Sequence, residues 1–346
     1  LEAVKAVEEK IAAIGEVTLA SKGVIEEAEA AYDALTEAQK SQVGNTDVLA
    51  AARASYNDLE AAKAVEEKIA AIGEVTLESK SAIDEANAAW KALNRTQKKL
   101  VPNWSVLDTA KKSYRNLVNA KAVEEKVAAI GEVTLESKGA IEEAEAAYQA
   151  LTADQKQLVT NADVLAAARK SYNDLAAAKA VEDQIAAIGK VTLTSKSAIE
   201  AAESAYAALT AEQKQLVTNA DVLAAARKSY NDLAAVKAVE DQIAAIGKVT
   251  LTSKSAIEKA EAAYEALTEE QKALVSNADL IAAAKTAYEN VQKANEAERK
   301  ISAIGAVNTK SLPAIEDAEA AYNALTEEQK ALVSNADTLR KSRQLY

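Results

Sequence analysis

The sequence predicts an all-α protein: a tandem array of six 58-residue three-helix bundles, joined by shared continuous helices into an elongated rod. Three observations predict it. The dipeptide Ile-Gly recurs with its glycine at Gly15, Gly73, Gly131, Gly189, Gly247 and Gly305, 58 residues apart each time. Self-similarity at a fixed period of this size marks a repeat architecture. The stretch from Ala162 runs 27 residues before Gly189 without a glycine or proline and is rich in Ala, Leu, Lys, Glu and Arg, the strong helix formers. It closes one copy of the repeat and opens the next. Aromatics make up only 4% of the chain and phenylalanine is absent, too little bulk for one large core but enough for thin bundles packed through small side chains.

Cut at this period, the copies span residues 1–58, 59–116, 117–174, 175–232, 233–290 and 291–346, the last truncated. The third shows the plan. Its first helix, AKAVEEKVAAIG, places Val123, Val127 and Ile130 on one face at i, i+4 and i+7. Gly131 ends it, because glycine takes the left-handed conformation without a steric penalty. VTL follows as an apolar connection. Ser137, present at this position in every copy as Ser21, Ser79, Ser195, Ser253 and Ser311, is expected to N-cap the second helix. Two residues on stand Gly23, Gly139 or Pro313, tolerated only in a first helical turn. Ile141, Ala144, Tyr148 and Leu151 then repeat at 3, 4, 3 and face inward.

Thr152 and Gln155 fit a capping box, repeated as Thr36/Gln39, Asn94/Gln97, Thr210/Gln213, Thr268/Gln271 and Thr326/Gln329. A short helical turn follows, with Leu158 and Val159 expected to cover the bundle end. Asn161-Ala162-Asp163 reads as the capped start of the third helix, whose inner face is Leu165, Ala168, Tyr172 and Leu175. Past Leu175 the apolar seam slips by one residue to Val181, Ile185 and Ile188, which turns the face by about 100°. A helix of about 27 residues is roughly 40 Å long and must serve two bundles. The advance is then about 20–25 Å per copy and the rod roughly 130–150 Å, with a radius of gyration of about 40 Å against about 20 Å for a compact chain.

Composition excludes several chemistries. The net charge of -12 argues against nucleic acid as a partner and favours mutual repulsion, hence a monomer. Cys, Met and His are all absent, which removes thiolate chemistry, imidazole metal sites and His-dependent triads. The nine glycines form no phosphate loop, no spacing resembles a calcium loop, and no apolar run is long enough for a membrane span. No catalytic residue, cofactor or metal site is expected. Leu1 lies inside a helical pattern, so the chain reads as a piece of a longer polypeptide. The pairs Glu8-Glu9, Glu26-Glu27 and Glu142-Glu143 read as solvated faces with i, i+4 support. Lys156 and Asp163 read as surface pairing and capping, and the repeated tyrosines (Tyr32, Tyr56 and equivalents) as core residues with the hydroxyl at the bundle edge.

The phrases IGEVTLESKGAIEEAEAAY and LTADQKQLVTNADVL resemble tandem helical repeats of Gram-positive bacterial cell-surface and cell-wall proteins, including the small three-helix FIVAR-type modules. The fused-helix plan is also similar to spectrin in outline, with a repeat half as long. The resemblance covers the whole chain. It implies a non-catalytic stalk outside the cell, associated with the wall, which projects flanking modules of the same polypeptide.

The second copy departs from this theme. Trp90 replaces the helical tyrosine, and Trp104 stands where other copies have Ala or Thr. Pro102 precedes it, and Lys91, Arg95, Lys98, Lys99, Lys111, Lys112 and Arg115 surround the pair. Residues 59–116 carry ten basic and eight acidic side chains, whereas residues 1–58 carry five and eleven. Trp and Arg are common binding anchors. Two readings of this copy stand open. Either Trp104 packs over its own bundle end, or Trp90, Trp104, Arg95, Lys98 and Lys99 contact a host or cell-wall glycan or a protein, making the chain an adhesive module.

Overall fold

The computed structural model describes residues 1–346, and 75% of them are helical with no strand. The chain divides into two compact units, Leu1–Asn173 and Asp174–Tyr346. The first holds α1 (Glu2–Ala12), α2 (Lys22–Asp33), α3 (Glu37–Lys40), α4 (Thr46–Ala70), α5 (Lys80–Ala92), α6 (Arg95–Lys99), α7 (Trp104–Ala129), α8 (Lys138–Ala150), α9 (Ala153–Lys156) and the start of α10 (Ala162–Ile188). The second holds the rest of α10, then α11 (Lys196–Ala208), α12 (Ala211–Leu216), α13 (Ala220–Ala244), α14 (Lys254–Glu265), α15 (Glu269–Lys272), α16 (Asp279–Ala303), α17 (Leu312–Asn323), α18 (Glu327–Lys330) and α19 (Ala336–Leu345).

Buried apolar side chains gather in three separate clusters in each unit, and every cluster lies within one 58-residue interval of the sequence. Helices α1, α2 and α4 pack on one another around the first, and α4, α5 and α7 around the second. The long helices each serve two clusters. Leu49, Ala52 and Tyr56 of α4 enter the first, whereas Ala62, Val65 and Ile69 enter the second. Helix α7 divides likewise between Leu107, Ala110 and Ala120, Val123, Val127. The step from Ala52 to Ala62, or Ala110 to Ala120, is ten residues, so the buried face turns by about 80° along one helix. Leu175 is a correction: it is half-buried and belongs to neither adjoining cluster. It falls where the face turns, so it points at neither core.

The glycine expectation holds. Gly131 and its five equivalents have φ between 55° and 61°, and a Cβ there would be strained although nothing crowds it. The serine expectation holds for position, since Ser137 and its equivalents immediately precede their helices, but not for the capping bond. Ser137 makes no capping bond to α8. Thr134 instead caps a short 3-10 turn, Leu135–Ser137, by accepting the Glu136 N–H at 3.2 Å. Ser137 Oγ accepts the Thr134 N–H at 3.0 Å. The serine is therefore the return half of a capping box set one turn early, and the sixth copy builds the same turn with Asn308 and Ser311. The boxes Thr152/Gln155 and its equivalents form as expected. Val159 covers the bundle end, but Leu158 is exposed.

The Asn161 equivalents need the same correction: Asn45, Asn103, Asn219 and Asn335 stand at the N-cap position, as expected, without the side-chain capping bond. Each amide reaches across to a backbone carbonyl of the helix 37 residues earlier, as in Asn161 Nδ2 to Glu124 O at 3.0 Å. The side chain of that same glutamate accepts the preceding N–H: Glu124 Oε1 takes Thr160 N–H at 2.9 Å, Glu8 takes Gly44, Glu182 takes Thr218, and Glu240 takes Ser276. Glu8 is thus a tertiary clamp rather than a solvated charge, and its inward position was hidden by the acidic dipeptide it belongs to. Pro102 lacks an N–H, and Glu66 meets Lys63 instead at 3.3 Å. The other carboxylate pairs behave as surface charges: Glu26 and Glu142 meet Lys22 and Lys138 at i, i+4, and Glu143 meets Lys126.

Two further ties were not foreseen. Gln97, Gln155, Gln213, Gln271 and Gln329 donate to Asp58, Asn116, Asp174, Asp232 and Asn290, 39 residues earlier, at 2.7–3.0 Å. Glu145 binds Arg169 in a two-pronged pair at 2.8 and 2.6 Å, as Glu203 binds Arg227 at 2.7 and 2.5 Å. These arginines hold Glu145 and Glu203, with Glu29 beside Arg53, below the usual carboxylate range. The hydroxyls of Thr160, Thr218 and Ser276 do the same to Glu124, Glu182 and Glu240. A depressed folded-state value gives stability that is present above the unfolded value of about 4.3 and lost as pH falls through the folded one. With no histidine in the chain, thermal melts followed by circular dichroism are expected to give one midpoint from about pH 5.5 to 7.5 and a progressive fall below about pH 4.5. A midpoint that drops between pH 7.5 and 5.5 would contradict this account.

Candidate functional site

The five residues singled out in the second copy come together. Trp90 sits in the last turn of α5, Arg95, Lys98 and Lys99 make up most of α6, and Trp104 opens α7. All five line one open cleft of about 500 Å³. The short helix α6 that carries three of them is held by its capping box. Asn94 Oδ1 accepts the N–H groups of Thr96 and Gln97 at 2.8 and 3.0 Å, and Gln97 Nε2 donates to Asp58 on α4 at 2.9 Å. That second bond anchors a five-residue helix too short to be stable alone.

The indoles stack with ring centroids 6.3 Å apart and planes 18° from parallel. Trp90 packs partly against the second cluster, whereas Trp104 is 52% exposed. Trp104 therefore does not seal the bundle end; it lies against Trp90 and leaves ring surface to solvent. Lys98 Nζ stands 6.0 Å from the Trp90 ring centre. Other copies have a tyrosine and a lysine there, as in Lys156 over Tyr148 at 5.5 Å. This stacking, rather than a pairing with Asp163, is where Lys156 goes, and Tyr148 packs partly into its cluster as expected.

No protein-family model, curated protein or solved structure matches this chain.

The charge of the cleft follows from three exchanges against the other copies. Arg95 occupies the position of Glu37, Glu269 and Glu327, which pair with Lys40, Lys272 and Lys330 at 3.1, 3.3 and 2.8 Å. Lys91 occupies the position of Asp33 and Glu265. Asn87 occupies the position of Glu29, Glu145 and Glu203, which elsewhere bind the cation of the neighbouring long helix. The ion pairs of the second copy are Lys63–Glu66 and Lys80–Asp84, and neither involves a cleft residue. Between residues 86 and 116 stand seven cations and a single carboxylate, Asp108. Asn87 was missed in the sequence reading; the signal was present, because a glutamate absent from one copy leaves its lysine partner, Lys111, without a counter-charge. No helix of the chain is long and apolar enough to cross a membrane.

Proposed function

We propose that the chain is a stiff, non-catalytic spacer: six small three-helix bundles in series, spanning residues 1–58, 59–116, 117–174, 175–232, 233–290 and 291–346. It holds flanking modules of its polypeptide away from a cell surface. The observation that carries this reading is the sharing of long helices between clusters. Helices α4, α7, α10, α13 and α16 each bury one end in one cluster and the other end in the next, so no loose linker separates them. The acidic net charge favours a monomer, and the sequence resemblance favours an extracellular, wall-associated setting in a Gram-positive bacterium. Residue types that serve catalysis most often, His and Cys, are missing.

Solution scattering tests it. A radius of gyration of about 40 Å is expected, and about 20 Å would overturn the proposal.

A further inference from the structure

We propose that the Trp90–Trp104 cleft binds an acidic glycan: a short run of pyranose rings that carry carboxylate or sulfate groups. The inference rests on the cleft alone and stands or falls independently of the spacer reading.

Two kinds of surface meet there. One is a flat aromatic face, the exposed half of Trp104 backed by Trp90. The C–H face of a sugar ring packs on such a surface, while a polar rim takes its hydroxyls. The other is the cation set Arg95, Lys98 and Lys99, lining the same cleft with no carboxylate paired to it. Like charges gathered on one short helix repel, and helical neighbours of equal sign destabilise it. No other copy gathers these cations: the first, fifth and sixth have a glutamate at the Arg95 position, paired with the lysine of the same turn, and the third and fourth have Ala153 and Ala211 there. Here an anion must come from outside, and an arginine fork fits a carboxylate or sulfate through two parallel bonds.

The surroundings narrow the class. The first and third copies carry net charges of -6 and -4 on either side of the basic segment. A long, densely charged polymer such as single-stranded DNA would run onto those acidic copies and be repelled. An oligosaccharide with a charge on every ring or every second ring is short enough to stay on the patch. The cleft is open, with no enclosed pocket for an anchoring side chain of the kind that fixes a peptide.

Trp90 and Trp104 are the only tryptophans in the chain, so tryptophan fluorescence, excited beyond the tyrosine absorption band, reports on this site alone. The intact chain is titrated with a hyaluronan octasaccharide (carboxylate), a heparin octasaccharide (sulfate), maltoheptaose (neutral), an octamer of thymidine and hexaglutamate. The expected result is a saturable fluorescence change with at least one acidic sugar, at least tenfold tighter than with the neutral one, weakening severalfold between 50 and 200 mM salt. Trp104→Ala, read by calorimetry, and the double variant Arg95→Glu/Lys99→Glu are each expected to weaken binding at least tenfold with unchanged circular dichroism. Arg95→Glu reproduces the Glu37–Lys40 arrangement of the first copy, so it is expected to fold. The proposal is overturned by no binding of either acidic sugar, by equal affinity for the neutral one, by tighter binding of the thymidine octamer or hexaglutamate, or by variants that bind as the parent does.

Discussion

Ala177→Pro is expected to split the thermal unfolding of this chain into two transitions. Ala177 lies inside α10, which runs unbroken from Ala162 to Ile188, a few residues past the boundary between the two compact units. Proline there removes the hydrogen bond its N–H makes one turn back, and its ring strikes the same carbonyl, at a cost of about 3 kcal/mol or more. Leu165 and Ala168 on one side of the break belong to a different cluster from Val181 and Ile185 on the other. The helix between them is the covalent means by which order in one favours order in the next, the nearest-neighbour term of a repeat array. The parent is expected to melt in one cooperative step. The variant is expected to show two, the lower displaced by roughly 6–12 °C. Ala177→Gly, costing about 1 kcal/mol, should lower the midpoint without splitting it. Scanning calorimetry decides the matter, and a single unshifted transition for the proline variant would remove the shared helix from its role.

Ile141→Ala is expected to unfold one stretch of the chain selectively. Ile141 is fully buried at 0% exposure among nine core residues of the third cluster. Truncating an isoleucine to alanine in such a site costs about 2–5 kcal/mol, counting both lost transfer energy and the cavity left behind. A core this small has little other apolar area to absorb the loss. Amide exchange followed by mass spectrometry is expected to speed up across residues 117–174 by at least thirtyfold, with residues 233–346 unchanged. Uniform acceleration along the whole chain would mean that the clusters do not open separately.

The helices themselves were legible in the residues. Apolar spacing at 3 and 4, glycine at each first-helix end and the Thr/Gln boxes suffice, because they act over one or two turns and leave a local trace. The errors fall on side chains with two physical options. Serine and asparagine both cap helices in isolation, and nothing local distinguishes Ser137 closing a box from Thr134, or Asn161 reaching back to Glu124, from a plain cap. Glu8 was read as solvent-facing because a carboxylate beside another carboxylate usually is; a clamp across 36 residues, such as Glu8 to Gly44 or Glu124 to Thr160, has no signature in spacing. The cleft was legible for a different reason. Five copies of the same plan supply the background against which Trp104 and Arg95 stand out, whereas the stacking of the two indoles is a tertiary contact that leaves no trace in spacing.

The ties that close the clusters, seen as a full set in the third, join residues 24, 36, 37 and 39 positions apart. Nothing in that set waits for a distant part of the polypeptide. During synthesis, a segment can therefore fold soon after it clears the ribosome, while later segments are still being made. Such short-range topology is associated with fast folding. It also makes length adjustable: duplicating or deleting one period in the gene would lengthen or shorten the product without disturbing the cores that remain.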